Sequence, residues 1–338
     1  MQKHTSRAGN VRDISLLSFY ADAITVANGY DFLCNLLAAG TSISTPAQPH
    51  IGFLSPPAYL AFASSLVAYP KITTKTHSKE IKKGSDAALR YLRCVHTTID
   101  GPAYATIRQA FSFPEERARR RAPAHRSAAA SLSPGPGDDV EHIAGDAAIA
   151  ESVWTRAEDF WQIVGWAFNC SVSHKKRWDR WKLWLGVMLD FLGADWEFCV
   201  QRSKIEDMYS ENIIQDSLLW HYIVGHSGSV NRGSRRRMVK AILATASVES
   251  LKDYPEIWER ETDAPKRKKD NEQFGDVNFE TGDMAGYDSD EEMQDAAEDI
   301  SNGKLSDDES LGEVRDTVKQ LGGMQAVELR HRLIALVC

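Results

Sequence analysis

Lys175-Lys-Arg-Trp-Asp-Arg-Trp-Lys-Leu-Trp-Leu-Gly-Val-Met-Leu-Asp-Phe-Leu-Gly-Ala-Asp-Trp-Glu-Phe198 decides the fold class. Trp178, Trp181, Leu185, Met188, Leu189, Leu192 and Trp196 recur at three- and four-residue intervals, with Trp184 beside them. That spacing lays them along one stripe of a helix. All nine tryptophans lie at or beyond residue 154, seven of them between Trp154 and Trp196. Such a stripe reads as core. The competing reading is an aromatic platform for stacking bases, or one ring left exposed as a protein-binding anchor. Basic residues crowd the start of this helix: Lys175, Lys176, Arg177, Arg180 and Lys182. A helix N-terminus prefers anions, so these charges call for an anionic partner or for nearby carboxylates at Asp179, Asp190 or Asp195.

The pattern continues outward on both sides. Trp154, Trp161 and Phe168 recur every seven residues, with Ala157, Ile163 and Val164 between them. They predict one helix of about 20 residues closed by a turn at 169–174. Downstream, helices are expected over about 211–224 and 234–246, with a short one over 255–260 where Trp258 packs. Upstream, Asp13 caps a helical segment with apolar residues at Ile14, Leu17, Tyr20, Ala21 and Ile24, and Gly29 interrupts it. A short helix follows over 30–39, and Ser55-Pro-Pro-Ala58 opens another. Ser78 starts a further one, and the last runs over 103–111. Val327 to Val337 is an amphipathic helix too short to stand alone, so it docks on the body or on a partner. Alternating β patterns are almost absent. The reading is all-α, an irregular stack of antiparallel helix pairs that resembles HEAT or TPR assemblies in general form, without an alignable repeat. The chain stops at Cys338 inside a helical pattern, which reads as a piece of a longer protein.

Composition divides the chain. Pro114-Glu-Glu-Arg-Ala-Arg-Arg-Arg-Ala-Pro123 and Ser133-Pro-Gly-Pro-Gly-Asp-Asp139 mark 113–147 as a disordered linker. From Asp276 to Glu313 fourteen acids face one lysine, a local charge of −13. The whole chain carries −7, so the remainder carries +6. Like charges at that density repel, and few apolar residues there repay ordering, so 262–314 reads as disordered. Three ordered parts remain: 10–112, a Trp-rich 148–261 packed against it, and 315–338.

No run of about 18 apolar residues is present, so no helical membrane span is expected. Five scattered cysteines without a CxxC pair argue for a reducing compartment. Pro265-Lys266-Arg267-Lys268-Lys269 resembles a monopartite nuclear localisation signal, which implies a nuclear protein and an import receptor as partner. Ser289 in Asp-Ser-Asp-Glu-Glu and Ser306 in Ser-Asp-Asp-Glu resemble sites of an acidophilic kinase. In Gly228-Ser-Val-Asn-Arg-Gly-Ser-Arg-Arg-Arg237, residues Arg232, Arg235, Arg236 and Arg237 precede or begin a helix and can meet an anion. The plainer readings are a salt-bridged surface loop or a contact with an acidic protein. The stretch is no phosphate loop, because Gly233 is followed by Ser234 where Lys is required.

Cys170 and His174 could meet at a helix end, but His221 and His226 have the wrong spacing for one helical face and no Cys pair is near, so no zinc site is expected. Nucleophile-elbow, HExxH and dinucleotide motifs are missing, so neither an enzyme nor a cofactor is expected. The expected function is a nuclear helical scaffold or adaptor, a subunit or N-terminal region of a larger complex with other protein subunits. The alternative is a module that binds the DNA or RNA backbone through 228–237 and 175–182.

Overall fold

A computed structural model describes residues 23–39, 53–99, 103–113, 151–205, 210–224, 232–264 and 309–337. Among these residues every regular element is helical: thirteen α-helices and one 3-10 turn, Pro70–Ile72. The chain divides into two compact units, residues 1–265 with 317–338, and residues 266–316. Of the second, only residues 309–316 are described, as the opening of helix α12, Glu309–Gln320. That start lies inside the stretch expected to be disordered. The linker 113–147, except Phe113, lies outside the described residues, as do residues 265–308 and the segment behind Asp13 up to residue 22, its last residues Ala23 and Ile24 opening helix α1.

The Trp-rich stretch forms α7, Lys175–Ile205, the axis of the first unit. Its 31 residues span about 46 Å. Helix α6, Phe160–Ser173, doubles back on it across His174 alone. Phe168 meets Trp178 at 6.1 Å and Phe160 meets Trp184 at 6.4 Å, so the two helices are antiparallel. Helix α4, Tyr104–Ala110, lines the far half of α7 in the same sense. Tyr104 stacks on Phe198 at 5.3 Å, and Phe111 meets Phe191 at 5.3 Å.

Helices α2, Pro57–Ala68, and α3, Lys79–Thr98, are also antiparallel. Ser55 bonds Tyr91 at one end, and Ser85 Oγ donates to the Val67 carbonyl at the other. Two pairs joined by longer stretches of chain run in the same direction. Helix α1, Ala23–Ala38, pairs with α3 through Asp31–Arg90, and the Cys94 thiol reaches the Cys34 carbonyl. Helix α3 follows α7 from Asp86–Arg180 to His96 on Phe191. Short connections therefore give antiparallel neighbours, as expected.

Seven of the nine tryptophans are core, and Trp196 and Trp220 are half-buried. Trp154, Trp161, Trp166, Trp178, Trp181, Trp184 and Trp258 are all buried, so none of Trp178, Trp181 and Trp184 is an exposed anchor. Several boundaries differ from expectation, each for a local reason. The helix expected from Trp154 onward is two: α5, Val153–Arg156, and then α6. Asp159 caps α6 by accepting from Gln162 N at 2.7 Å, and the expected turn at 169–173 is helical. Gly29 lies inside α1 without interrupting it.

Ser55 does not cap α2, because its hydroxyl accepts from Tyr91 instead. Ser78 does cap α3, accepting from Ile81 N. The segment 211–224 splits into α8, Ser210–Gln215, and α9, Leu218–Val224. Ser217 Oγ accepts from Trp220 N, and the buried Asp195 accepts from Leu218 N at 2.8 Å. Beyond α10, Arg232–Ile242, the short helix is α11, Val248–Asp253, and residues 255–260 are turns.

Helix α12 ends in a Schellman motif: Gly323 N donates to Val318 O and Gly322 N to Lys319 O, with Gly322 at φ 91°. The chain then enters α13, Met324–Val337, which packs on α7 and α10 as the docking expectation requires. No helix among the described residues is long and apolar enough to cross a membrane.

Candidate contact surface

The basic cluster at the start of α7 is absorbed by the fold. Because one residue separates α6 from α7, these charges lie at the carbonyl end of α6, where cations are favourable. Lys175 Nζ donates to the Ser171 carbonyl there. Arg180 pairs with Asp86 at 2.7 Å, and Lys182 pairs with Asp179 at 2.8 Å. Of the three carboxylates expected to answer this cluster, only Asp179 does so. Asp190 holds Arg332 and Asp195 holds Arg108.

Arg177 is no surface contact. It is 2% exposed and pairs with Glu261 at 2.5 Å. It also donates to the Ala68 carbonyl at 2.7 Å and to Thr73 and Thr74, and it lies over the rings of Trp181 and Trp258. Burial pushes the Glu261 carboxyl up to about 7, against the opposing pull of Arg177. Only Lys175 and Lys176 in the cluster stay exposed, and Lys175 is engaged.

The second basic group has the opposite fate. Its loop, 225–231, lies outside the described residues, but the arginines are in α10. Arg237 turns inward, pairing with Asp159 at 2.9 Å and Glu158 at 3.4 Å over the Tyr254 ring. Those carboxylates hold its guanidinium above the ordinary value against the effect of burial. Lys240 pairs with Asp253 at 2.7 Å, and this bond lowers the Asp253 carboxyl. Ala241 and Ile242 face the core. Arg232, Arg235 and Arg236 are exposed and pair with no carboxylate among the described residues.

These three arginines share their face with two apolar side chains. Val239 is 50% exposed and Leu243 54%. Leu243 N still donates to Val239 O, so the helical course reaches it. Positions 232, 235, 236, 239 and 243 fall on one stripe at helical spacing. The sequence carries this signal in the spacing of Val239 and Leu243 behind the arginines. The stripe holds a cationic half and an apolar half, and α10 presents both.

No family model, curated protein or solved structure matches the chain.

Helix α10 is held from three sides. The Tyr254 hydroxyl donates to the Arg237 carbonyl at 2.6 Å. Asn169 of α6 accepts from Ala246 N at 2.8 Å just beyond the helix. Arg330 of α13 donates to the carbonyls of Ile242 and Ala244, satisfying acceptors at the α10 C-terminus. Its guanidinium lies 4.0 Å from the Phe168 ring centre, and burial lowers its pKa to about 10. It remains a cation at neutral pH, at the negative end of a helix.

Other candidate positions lie elsewhere. Lys266, Arg267, Lys268, Lys269, Ser289 and Ser306 are outside the described residues. Cys170 is buried, and the peptide N–H of His174 donates to its carbonyl. Among the described residues no cluster of three metal-ligating side chains occurs.

Proposed function

We propose that this chain is a nuclear helical adaptor, a subunit or region of a larger assembly, that works through protein–protein contact. The observation that carries the reading is the α10 stripe, where arginines without carboxylate partners and exposed aliphatic side chains share one anchored face. Arginine beside apolar surface is the composition of interface hot spots. The basic cluster Lys266 to Lys269 beside Pro265 supports nuclear import, with an import receptor as a transient partner.

The test uses the tagged full chain in cultured cells, fractionated and sized. The expected result is nuclear enrichment and elution in a complex larger than the 37.7 kDa chain. Substituting Lys268→Ala and Lys269→Ala shifts the chain toward the cytoplasm. Recovery of the unmodified chain as a lone cytoplasmic monomer overturns the reading.

The second reading is a contact with the nucleic-acid backbone. It is favoured by the position of Arg232, Arg235 and Arg236 at a helix N-terminus, and weakened by the loss of Arg177 and Arg180 to internal pairing. Phosphate contacts by three arginines predict affinity that falls steeply with salt.

A further inference from the structure

We infer that the outward stripe of α10 seats an acidic amphipathic helix of a partner protein. The inference rests on the adaptor reading and deepens it by stating the chemistry of the partner.

No acid stands in the first turn of α10. The nearby carboxylates are already engaged: Glu158 and Asp159 by Arg237, and Asp253 by Lys240. Arg232, Arg235 and Arg236 therefore concentrate positive charge at the positive end of the helix dipole. Carboxylates brought from outside relieve that repulsion and can accept from each guanidinium fork.

The apolar half then chooses between classes of anion. Val239 and Leu243 continue the stripe one and two turns further on, both about half exposed. A phosphate backbone offers them nothing to bury. A helix with Asp or Glu in its first turns and leucine-sized residues beyond them matches both halves in order. The stripe from 232 to 243 is about 16 Å long, roughly three turns, so a partner of about 15 residues covers it. Recognition by i, i+3, i+4 and i+7 positions is the usual mode for such a helix. Because Asp159, Tyr254 and Arg330 hold α10 in place, little ordering is left to pay on binding.

The experiment measures fluorescence anisotropy with the full chain. The probe is a labelled helical peptide of about 20 residues, with glutamates in its first two turns and leucines one and two turns beyond on the same face. A scrambled peptide of equal composition and a DNA duplex serve as controls. The expected result is binding of the patterned peptide with an affinity on the order of micromolar, as suits one helix face. Arg235→Glu with Arg236→Glu, and separately Val239→Ser with Leu243→Ser, each weaken it about tenfold while circular dichroism is unchanged, because all four side chains are exposed. A peptide with lysines in place of glutamates binds the Arg235→Glu, Arg236→Glu chain and restores affinity.

Equal binding of patterned and scrambled peptides overturns the inference. So does tight, steeply salt-dependent binding of the duplex that Val239→Ser with Leu243→Ser leaves untouched, which marks a phosphate contact. Absence of peptide binding at low salt overturns it as well. If the Arg235→Glu, Arg236→Glu chain keeps its complex in nuclear extract, the adaptor reading stands and only this seat falls.

Discussion

Arg177 and Glu261 show how far one buried pair reaches. The guanidinium joins the start of α7, the end of α2, the 3-10 turn and the segment after α11. Arg177→Met leaves Glu261 without its cation and frees the Ala68 carbonyl, and is expected to cost about 3–5 kcal/mol in urea unfolding. Glu261 also gives a signed pH dependence. Its carboxyl titrates near 4.5 when unfolded and near 7 when folded. Between those values the folded state keeps a proton that the unfolded state has shed, so this group weakens folding as pH rises through the window. Above about pH 7 its contribution is level. Glu261→Gln keeps an acceptor for Arg177 and removes the titration. Unfolding at pH 5 and pH 7.5 should then show a smaller loss on going up in pH than in the unmodified chain. Equal losses would sink the assignment.

At the scale of elements, the spacing between α6 and α10 depends on a glycine. A Cβ on Gly165 would stand 2.3 Å from Cγ of Tyr254, whose ring lies between the helices. Gly165→Ala has to push away a ring whose hydroxyl also holds the Arg237 carbonyl. The expected loss is about 1–3 kcal/mol in thermal or urea unfolding. Gly322→Ala fails for two reasons: a φ of 91°, and a Cβ that would fall 1.9 Å from Ser171 Oγ. It should destabilise the entry to α13 and raise hydrogen exchange over Met324–Val337.

How legible these elements are in sequence depends on where their caps come from. Asp159-x-x-Gln162 was readable as a helix start, since Asp159 accepts from Gln162 N while Gln162 Oε1 accepts from Glu158 N. The seven-residue Trp rhythm masked it. The start of α9 is only half local: Ser217 Oγ caps Trp220 N, while Leu218 N is met by Asp195, 23 residues away on another helix. Helical period is a local property and was visible. Boundaries set by remote polar groups were not.

The same distinction decides the site at the scale of the whole molecule. Lys175, Lys176 and Arg177 are indistinguishable in sequence, and only the fold, by bringing Glu261 from 84 residues away, separates the buried one from its neighbours. The arginines of α10 sort in the same way: Asp159 and Glu158 claim Arg237 and leave the other three outside. Arg330 is the corresponding residue on α13, with donors aimed at carbonyls beside α10. Arg330→Met removes those charged hydrogen bonds, worth about 1.5–3 kcal/mol each before repacking. Faster hydrogen exchange in α13, with a lower unfolding midpoint, is the expected result.

Both strands of chain that border residues 265–308 are fastened within the same compact unit, by Arg177 on Glu261 before them and by Arg330 on α10 after them. The chain therefore leaves this unit after residue 265 and returns to it at residue 317. Lengthening a flexible connection costs little, about 0.6 kcal/mol per doubling, so an insertion in the intervening stretch is expected to leave the unfolding midpoint unchanged. A single proteolytic nick within it should leave two fragments that co-elute. The chain can accordingly be made as a split protein, with residues 309–338 supplied as a separate peptide, and a cargo sequence inserted between residues 265 and 309 is expected to leave the helices that carry α10 intact.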